Sequence, residues 1–98
     1  MKRRVLAIIL AAGKSVRFGK QKLLQPFFGS PLILRTIRPF LDFQLIDEVI
    51  VVVGFRKDEM IEVLKPYAVR IVVNEDYERG LSSSILAALP FVGDDDEV

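Results

Sequence analysis

Three apolar runs set the terms for this chain. "RVLAIIL" (4–10), "DEVIVVV" (47–53) and "VRIVVN" (69–74) are of strand length, and none alternates with polar residues as a half-exposed strand would. Strands of this kind need cover on both faces, which is the habit of parallel sheets with helices above and below. The segments between them have helical period. In "GSPLILRTIRPFL" (29–41), Leu32, Ile33, Ile37, Phe40 and Leu41 recur at helical spacing. Ser30 is placed to cap this helix, Pro31 suits a first turn, and Pro39 is expected to kink the helix or end its regular part. In "KDEMIEVLK" (57–65), Asp58 reads as the cap, Met60, Ile61 and Leu64 face inward, and Pro66 stops the helix. "VRIVVN" is followed by Gly80 and a run of serines that open a last helix, "LSSSILAAL" (81–89), with Pro90 near its end. The order βαβαβα predicts an α/β fold: a three-layer, Rossmann-like parallel sheet with right-handed crossovers, in one domain over 1–98. "FVGDDDEV" (91–98) reads as a polar turn followed by the first residues of another strand.

Composition excludes several classes of chemistry. Lys and Arg number 14 against 13 Asp and Glu, a net charge of +1, so the basic stripe of a nucleic-acid binder is not expected. Cysteine and histidine are both absent, which removes disulfides, thiolate and imidazole metal sites, and histidine acid–base catalysis. "MKRR" before "VLAIILAA" mimics a secretory signal. The apolar run is short and leads directly into an orderly strand–helix alternation, so it is read as the first strand. No run of 18 apolar residues occurs, and no membrane span is expected.

Ligands of parallel sheets sit at the carboxyl ends of the strands. Three segments should meet there: residues 11–22, Gly54 with Phe55, and residues 74–84. The first contains "LAAGKSVRFGKQK" (10–22), which places two glycines, an arginine and several lysines at the end of a buried strand. A phosphate ligand explains that combination. The P-loop spacing fails, because it needs glycine where Ile8 stands, and the dinucleotide pattern fails at Ser15. Gly13 still permits a sharp turn and close approach of a ligand to the backbone. Arg17 offers a fixed planar fork for phosphate oxygens, and Gly19 permits a bend that brings the point charge of Lys22 back over the site. A solvated loop with solubilising lysines is the plain alternative. Asn74 is placed either to pair with a base edge or to initiate a turn. Ser82, Ser83 and Ser84 are placed to hold a ribose or phosphate, or to cap the helix.

"LAAGKSVRFGKQKLL" resembles the LAAGxSxRFGxxK signature of MobA-like nucleotidyltransferases, most of all their molybdenum cofactor cytidylyltransferase branch. The resemblance continues through "GSPLILRTI", "DEVIVVVG" and "NEDYERGLSSSI". It implies the N-terminal half of a nucleotide-diphospho-sugar-transferase-like domain, in the cytoplasm, that binds a nucleoside triphosphate. By this resemblance the nucleotide is CTP, and its NMP passes to a molybdopterin-like acceptor with release of pyrophosphate. Leu10, Ala11, Ala12 and Gly13 then contact base and ribose, and Ser15, Asn74, Gly80, Ser82 and Ser84 complete the nucleotide site. Arg17 and Lys22 act catalytically on the triphosphate, where fixed cations stabilise developing charge without proton transfer. Gly54 leans towards the cytidylyl branch. Mg²⁺ is implied, held by a "GD.P"-like stretch of the family's second half that is not present here. Asp94, Asp95 and Asp96 fall in the turn before a fourth strand rather than after it, and neighbours in an extended chain point oppositely, so they are not read as its ligands. Two other readings stand beside this one. One is a catalytically silent, short relative that binds nucleotide or self-associates as a homodimer through an exposed sheet edge. The other is a sugar-phosphate nucleotidyltransferase, which shares the LAAG start.

Overall fold

The computed structural model describes residues 3–13 and 22–98. Strands β1 (Leu6–Ala11), β4 (Glu48–Val53) and β5 (Arg70–Val73) form a parallel sheet in the order β1-β4-β5. The register runs from Leu6 opposite Glu48 to Ala11 opposite Val53, and from Ile50 opposite Arg70 to Val53 opposite Val73. Helices α1 (Leu32–Asp42) and α2 (Lys57–Leu64) cover one face, and α3 (Leu81–Ala88) covers the other. Alternate residues of the central strand feed alternate cores. Val49, Val51 and Val53 meet Ile33 and Ile37 of α1 and Met60 and Leu64 of α2. Ile50 and Val52 join Leu6, Val72 and Ala88 on the far side. The three-layer α/β architecture is therefore as the apolar runs imply.

Local chemistry departs from expectation at the helix starts. Before α1 the chain forms a small antiparallel hairpin, β2 (Pro26–Phe27) with β3 (Ser30–Pro31), whose turn carries positive φ at Phe28 (51°) and Gly29 (87°). Ser30 is thus a strand residue and not the cap. Pro31 occupies the cap position without a side-chain hydrogen bond, and the Leu32 amide instead donates to the Gln25 carbonyl at 3.0 Å. Asp58 is likewise not a cap. The α2 cap position is Arg56, in the left-handed region (φ 57°), and Asp58 lies inside the first turn, where a carboxylate complements the helix dipole. Pro39 lies within α1, which continues to Asp42. Gly80 leads into α3 with no side-chain cap, so none of the serines caps that helix.

The acidic tail has a structural task. Gly93 and Asp96 close a turn, with the Asp96 amide donating to the Gly93 carbonyl (3.1 Å) and the Gly93 amide to the Asp96 carboxylate (2.7 Å). Glu97 then pairs in parallel with β1 on the edge away from β4: its amide donates to the Arg4 carbonyl (2.8 Å), and its carbonyl accepts from the Leu6 amide (2.6 Å). Of "FVGDDDEV" (91–98), read as a turn leading into a strand, Phe91 closes a 3₁₀ segment (Leu89–Phe91), 93–96 form the turn, and the strand is a single bridge at Glu97. Arg4 grips Asp96 with two prongs (Nε to Oδ1, 3.1 Å; Nη2 to Oδ2, 2.7 Å) and reaches Glu48 with its third nitrogen (3.1 Å). Glu48 also accepts from Arg70, whose guanidinium lies 5.2 Å from the Phe91 ring centre.

The Arg4 hydrogen bonds, together with the Gly93 amide, hold the Asp96 carboxyl below the usual carboxylate range. A depressed carboxyl contributes stability above its unfolded-state pKa, and that contribution is lost as pH falls through the lower folded-state value. Asp96→Asn is therefore expected to lower the urea midpoint at neutral pH. Melts repeated at successively lower pH should show the gap to the parent protein closing below the ordinary aspartate range. A gap of constant size at every pH would mean that the ionic contact is not its source.

Candidate functional site

The three parallel strands end level with one another, and their ends are tied together. The Ala12 carbonyl accepts from the Phe55 amide at 3.0 Å, and the Asn74 amide donates to the Val53 carbonyl at 2.7 Å. Tyr77 packs directly onto this platform. A Cβ at Gly54 would lie 2.7 Å from the Tyr77 Cβ and 2.9 Å from the Ala12 Cβ, so only glycine lets the strand ends and the Tyr77 segment come so close. The Phe55 and Tyr77 rings stand 6.0 Å apart, tilted by 54°. A single 3₁₀ turn (Tyr77–Arg79) leads to Gly80, whose φ of 100° and ψ of −170° belong to glycine alone, and α3 begins at the next residue.

Between these parts lies a cavity of about 640 Å³, lined among the described residues by Leu10, Gly13, Tyr77, Glu78, Gly80, Leu81 and Ser84. That is ample for a small organic ligand. Its polar anchor is a trio of side chains, two of them buried, Asn74 and Ser84, and one partly buried, Ser83. Asn74 (4% exposed) donates from Nδ2 to Ser83 Oγ (2.9 Å) and to Ser84 Oγ (3.0 Å). Its Oδ1 accepts from the Asp76 amide (2.9 Å). The Ser83 hydroxyl donates back towards the Gly80 carbonyl (2.7 Å) or the Asp76 carbonyl (3.0 Å). Ser84, 5% exposed, accepts from Asn74 and lines the cavity. Among the described residues its own proton has no acceptor.

The sequence-chosen residues divide as follows. Leu10, Gly13, Gly80 and Ser84 meet at the cavity. Ala11 and Ala12 are buried beneath it, each 1% exposed. Asn74 and Ser82 line an adjoining cavity of about 440 Å³, at whose rim Glu75 accepts from Lys57 (2.8 Å) and raises the Lys57 pKa. Asn74 reaches the main cavity only through Ser84, and its side chain satisfies a turn and two hydroxyls at once. Lys22 is exposed in a short turn (Lys22–Leu24) against α1 and does not line either cavity. Ser15 and Arg17 lie outside the described residues. Tyr77, Glu78 and Leu81 were not singled out from sequence. Their signal is indirect, a glycine after β4 that leaves room for a neighbouring ring.

The described residues do not by themselves make a magnesium site. Among them no three carboxylates gather, the main cavity has one carboxylate (Glu78), and Asp96 is engaged by Arg4.

A parallel sheet with a cavity at its carboxyl edge, walled by Gly13 after the first strand and by a glycine-led helix, is an arrangement shared with nucleotidyltransferase-type α/β folds. Residues 7–98 match the model of the MobA-like NTP transferase domain, and the chain belongs to that family. It is 36% identical over 86 residues to a probable molybdenum cofactor guanylyltransferase of Pyrococcus horikoshii, covering 88% of this chain and 43% of that protein. It is 35% identical over 86 residues to the molybdenum cofactor cytidylyltransferase of Escherichia coli K12, covering 87% of this chain and 44% of that one. A nucleotidyl transferase of Methanothermobacter superposes with a TM-score of 0.80 at 30% identity, over 96% of this chain and 48% of that structure. The chain thus spans less than half the length of these relatives. Among the described residues no helix is long and apolar enough to cross a membrane.

Replacing Gly54 by alanine forces the new methyl group against Tyr77 and Ala12. A loss of about 1–3 kcal/mol in unfolding free energy is expected, as for other overpacked sites. Tyr77 should move with it, seen as a changed near-ultraviolet circular dichroism. An unchanged melt and spectrum would show that Tyr77 does not rest on Gly54.

Proposed function

We propose that the cavity holds the nucleoside end of a nucleoside triphosphate, CTP in this reading, and that the complete protein transfers its NMP to a molybdopterin-like acceptor. The observation that carries this is Ser84: a buried hydroxyl, oriented by Asn74, with a proton to donate into a cavity that is otherwise largely apolar. Leu10, Tyr77 and Leu81 give a base or sugar apolar contact, and the close approach at Gly13 and Gly80 gives it backbone. Glu78 is the one charged residue among the described walls, and it is acidic, so the triphosphate lies towards the loop that follows Gly13. Arg17 and Lys22 are the cations assigned to it. In the reaction an acceptor oxygen bonds to the α-phosphorus, the α–β bridging bond breaks, and pyrophosphate leaves with the electron pair. Fixed cations stabilise the charge on the phosphate oxygens and on the leaving group. Magnesium enters this reading bound to the triphosphate. Gly54 and the cytidylyltransferase relative support cytosine, the guanylyltransferase relative favours guanine, and the contest is settled by binding. This reading takes the protein to be cytoplasmic.

Calorimetry with CTP, GTP, ATP and cytidine tests these assignments. CTP is expected to bind most tightly. Lys22→Ala should weaken CTP about tenfold, the order of one charge-assisted hydrogen bond, and leave cytidine unchanged. Equal losses for the two would remove Lys22 from the phosphate site, and tighter GTP would overturn the choice of base.

A second reading, a silent module that pairs with its own copy, is favoured by one surface. Leu81 and Ile85 of α3, with Leu89 just past its end, form an exposed apolar stripe (67%, 47% and 52% exposed). On the side of the first strand away from β4, Glu97 makes a single bridge to Val5. Sedimentation at tens of micromolar should then show a dimer, and Ile85→Lys should dissolve it. A monomer throughout that range removes this reading.

A further inference from the structure

We propose a second ligand site, for a small phosphate-class oxyanion, in a cleft on the face of the sheet opposite the nucleotide cavity. The cleft encloses about 430 Å³ and is lined by Ser30, Leu34, Arg35, Arg38, Pro39 and Tyr67. It arises from the way α1 divides its faces. Ile33 and Ile37 are fully buried against the sheet, so Leu34, Arg35 and Arg38 fall on a neighbouring face, one turn apart. Across from them stands Tyr67, in the turn after α2. The Tyr67 amide donates to the Leu64 carbonyl (2.9 Å), its carbonyl accepts from the Val69 amide (2.9 Å), and its side chain packs on the core.

The charge of the cleft is one-sided. Its described walls carry two guanidinium groups and two hydroxyls, and no carboxylate. Arg3, Arg4, Arg56 and Arg70 all pair with carboxylates elsewhere on the molecule. Arg38 makes no ion pair or hydrogen bond among the described residues, and neither does the hydroxyl of Ser30 or of Tyr67. The Arg35 guanidinium lies 5.0 Å from the ring centre of Phe28. Phe28 itself adopts positive φ at the tip of the β2–β3 hairpin, an uncommon conformation for a bulky residue. Two planar forks with two hydroxyl donors match a phosphate dianion, which accepts from several directions; a single carboxylate uses only one fork. The apolar walls, Leu34 and Pro39, leave room for an organic substituent on the phosphate. The site uses no residue assigned to the nucleotide cavity, so either can fail without the other.

Amide-resolved NMR of the full chain, titrated with inorganic phosphate and then pyrophosphate at constant ionic strength, tests the proposal. Saturable shifts are expected at Ser30, Leu34, Arg35, Arg38 and Tyr67, and shifts at Gly13 and 80–84 would report the other cavity separately. Arg38→Gln should weaken binding at the cleft at least fivefold with the fold intact, Tyr67→Phe should weaken it less, and Arg79→Ala should leave it unchanged. Acetate at the same concentration is expected not to saturate. Non-saturating shifts spread over the surface, saturable shifts that survive Arg38→Gln, or acetate binding as tightly as phosphate would each overturn the proposal.

Discussion

Burial of β4 on both faces is the constraint from which the rest of the structure follows. Residues 49–53 are 3% exposed or less, so each side chain belongs to one core or the other. Slipping such a strand by one residue would exchange the two cores completely, and its register is fixed as firmly as a strand's can be. Each of these side chains adds roughly 1.5–3 kcal/mol of apolar burial, far more than any surface ion pair in the molecule. Both neighbours pair with β4 in parallel and in matched register, Ala11 and Val73 each opposite Val53. The chain must therefore leave the sheet three times at one level, at Ala12, Gly54 and Asn74. The candidate site is the consequence of that coincidence.

At that level the packing is too close for ordinary side chains, and the polar groups are too buried to go unbonded. Gly54 answers the first problem by leaving space for Tyr77. Asn74 answers the second. Its amide closes the turn at Asp76 and holds the hydroxyls of Ser83 and Ser84, so one side chain links the end of β5 to the first turn of α3. The serines look like caps in the sequence, and their work is done one turn later, from inside the helix.

What was legible in the sequence follows the same division. The three strands, the three helices and the start of a fourth β element could be read because double burial leaves long apolar runs and amphipathic burial leaves a helical period. The caps could not. At Ser30, Asp58 and the serines, backbone partners took the place of side chains: the Gln25 carbonyl for Leu32, the Gly54 carbonyl for Lys57, and Gly80 ahead of α3. Those partners depend on a hairpin and a left-handed Arg56 that no local pattern announces. The acidic run shows the limit most clearly. Position in the chain argued against a metal role, but the actual partner of Asp96 is Arg4, 92 residues away, and only the topology brings them together. Leu10, Gly13, Gly80 and Ser84, which meet at the cavity, were named through the family resemblance, and Gly13 also through the sharp turn its backbone permits. Tyr77 was missed because an aromatic in a turn is commonplace until the glycine beneath it is seen.

A chain with neither histidine nor cysteine has few ways to catalyse group transfer, and the described walls of the cavity narrow them further. They present apolar surface, backbone and one hydroxyl, with Glu78 as their one charge. A highly anionic triphosphate would be repelled there, whereas an uncharged base and sugar would not. In the proposed reaction the described cavity walls then recognise the nucleoside, and Arg17 and Lys22 supply the positive charge. This separates two functions along one ligand. On the proposed reading, changes to the Tyr77–Ser84 wall act on which base is held and are felt equally in ground and transition states. Changes to the loop cations act where charge develops as pyrophosphate departs, and so on the rate itself.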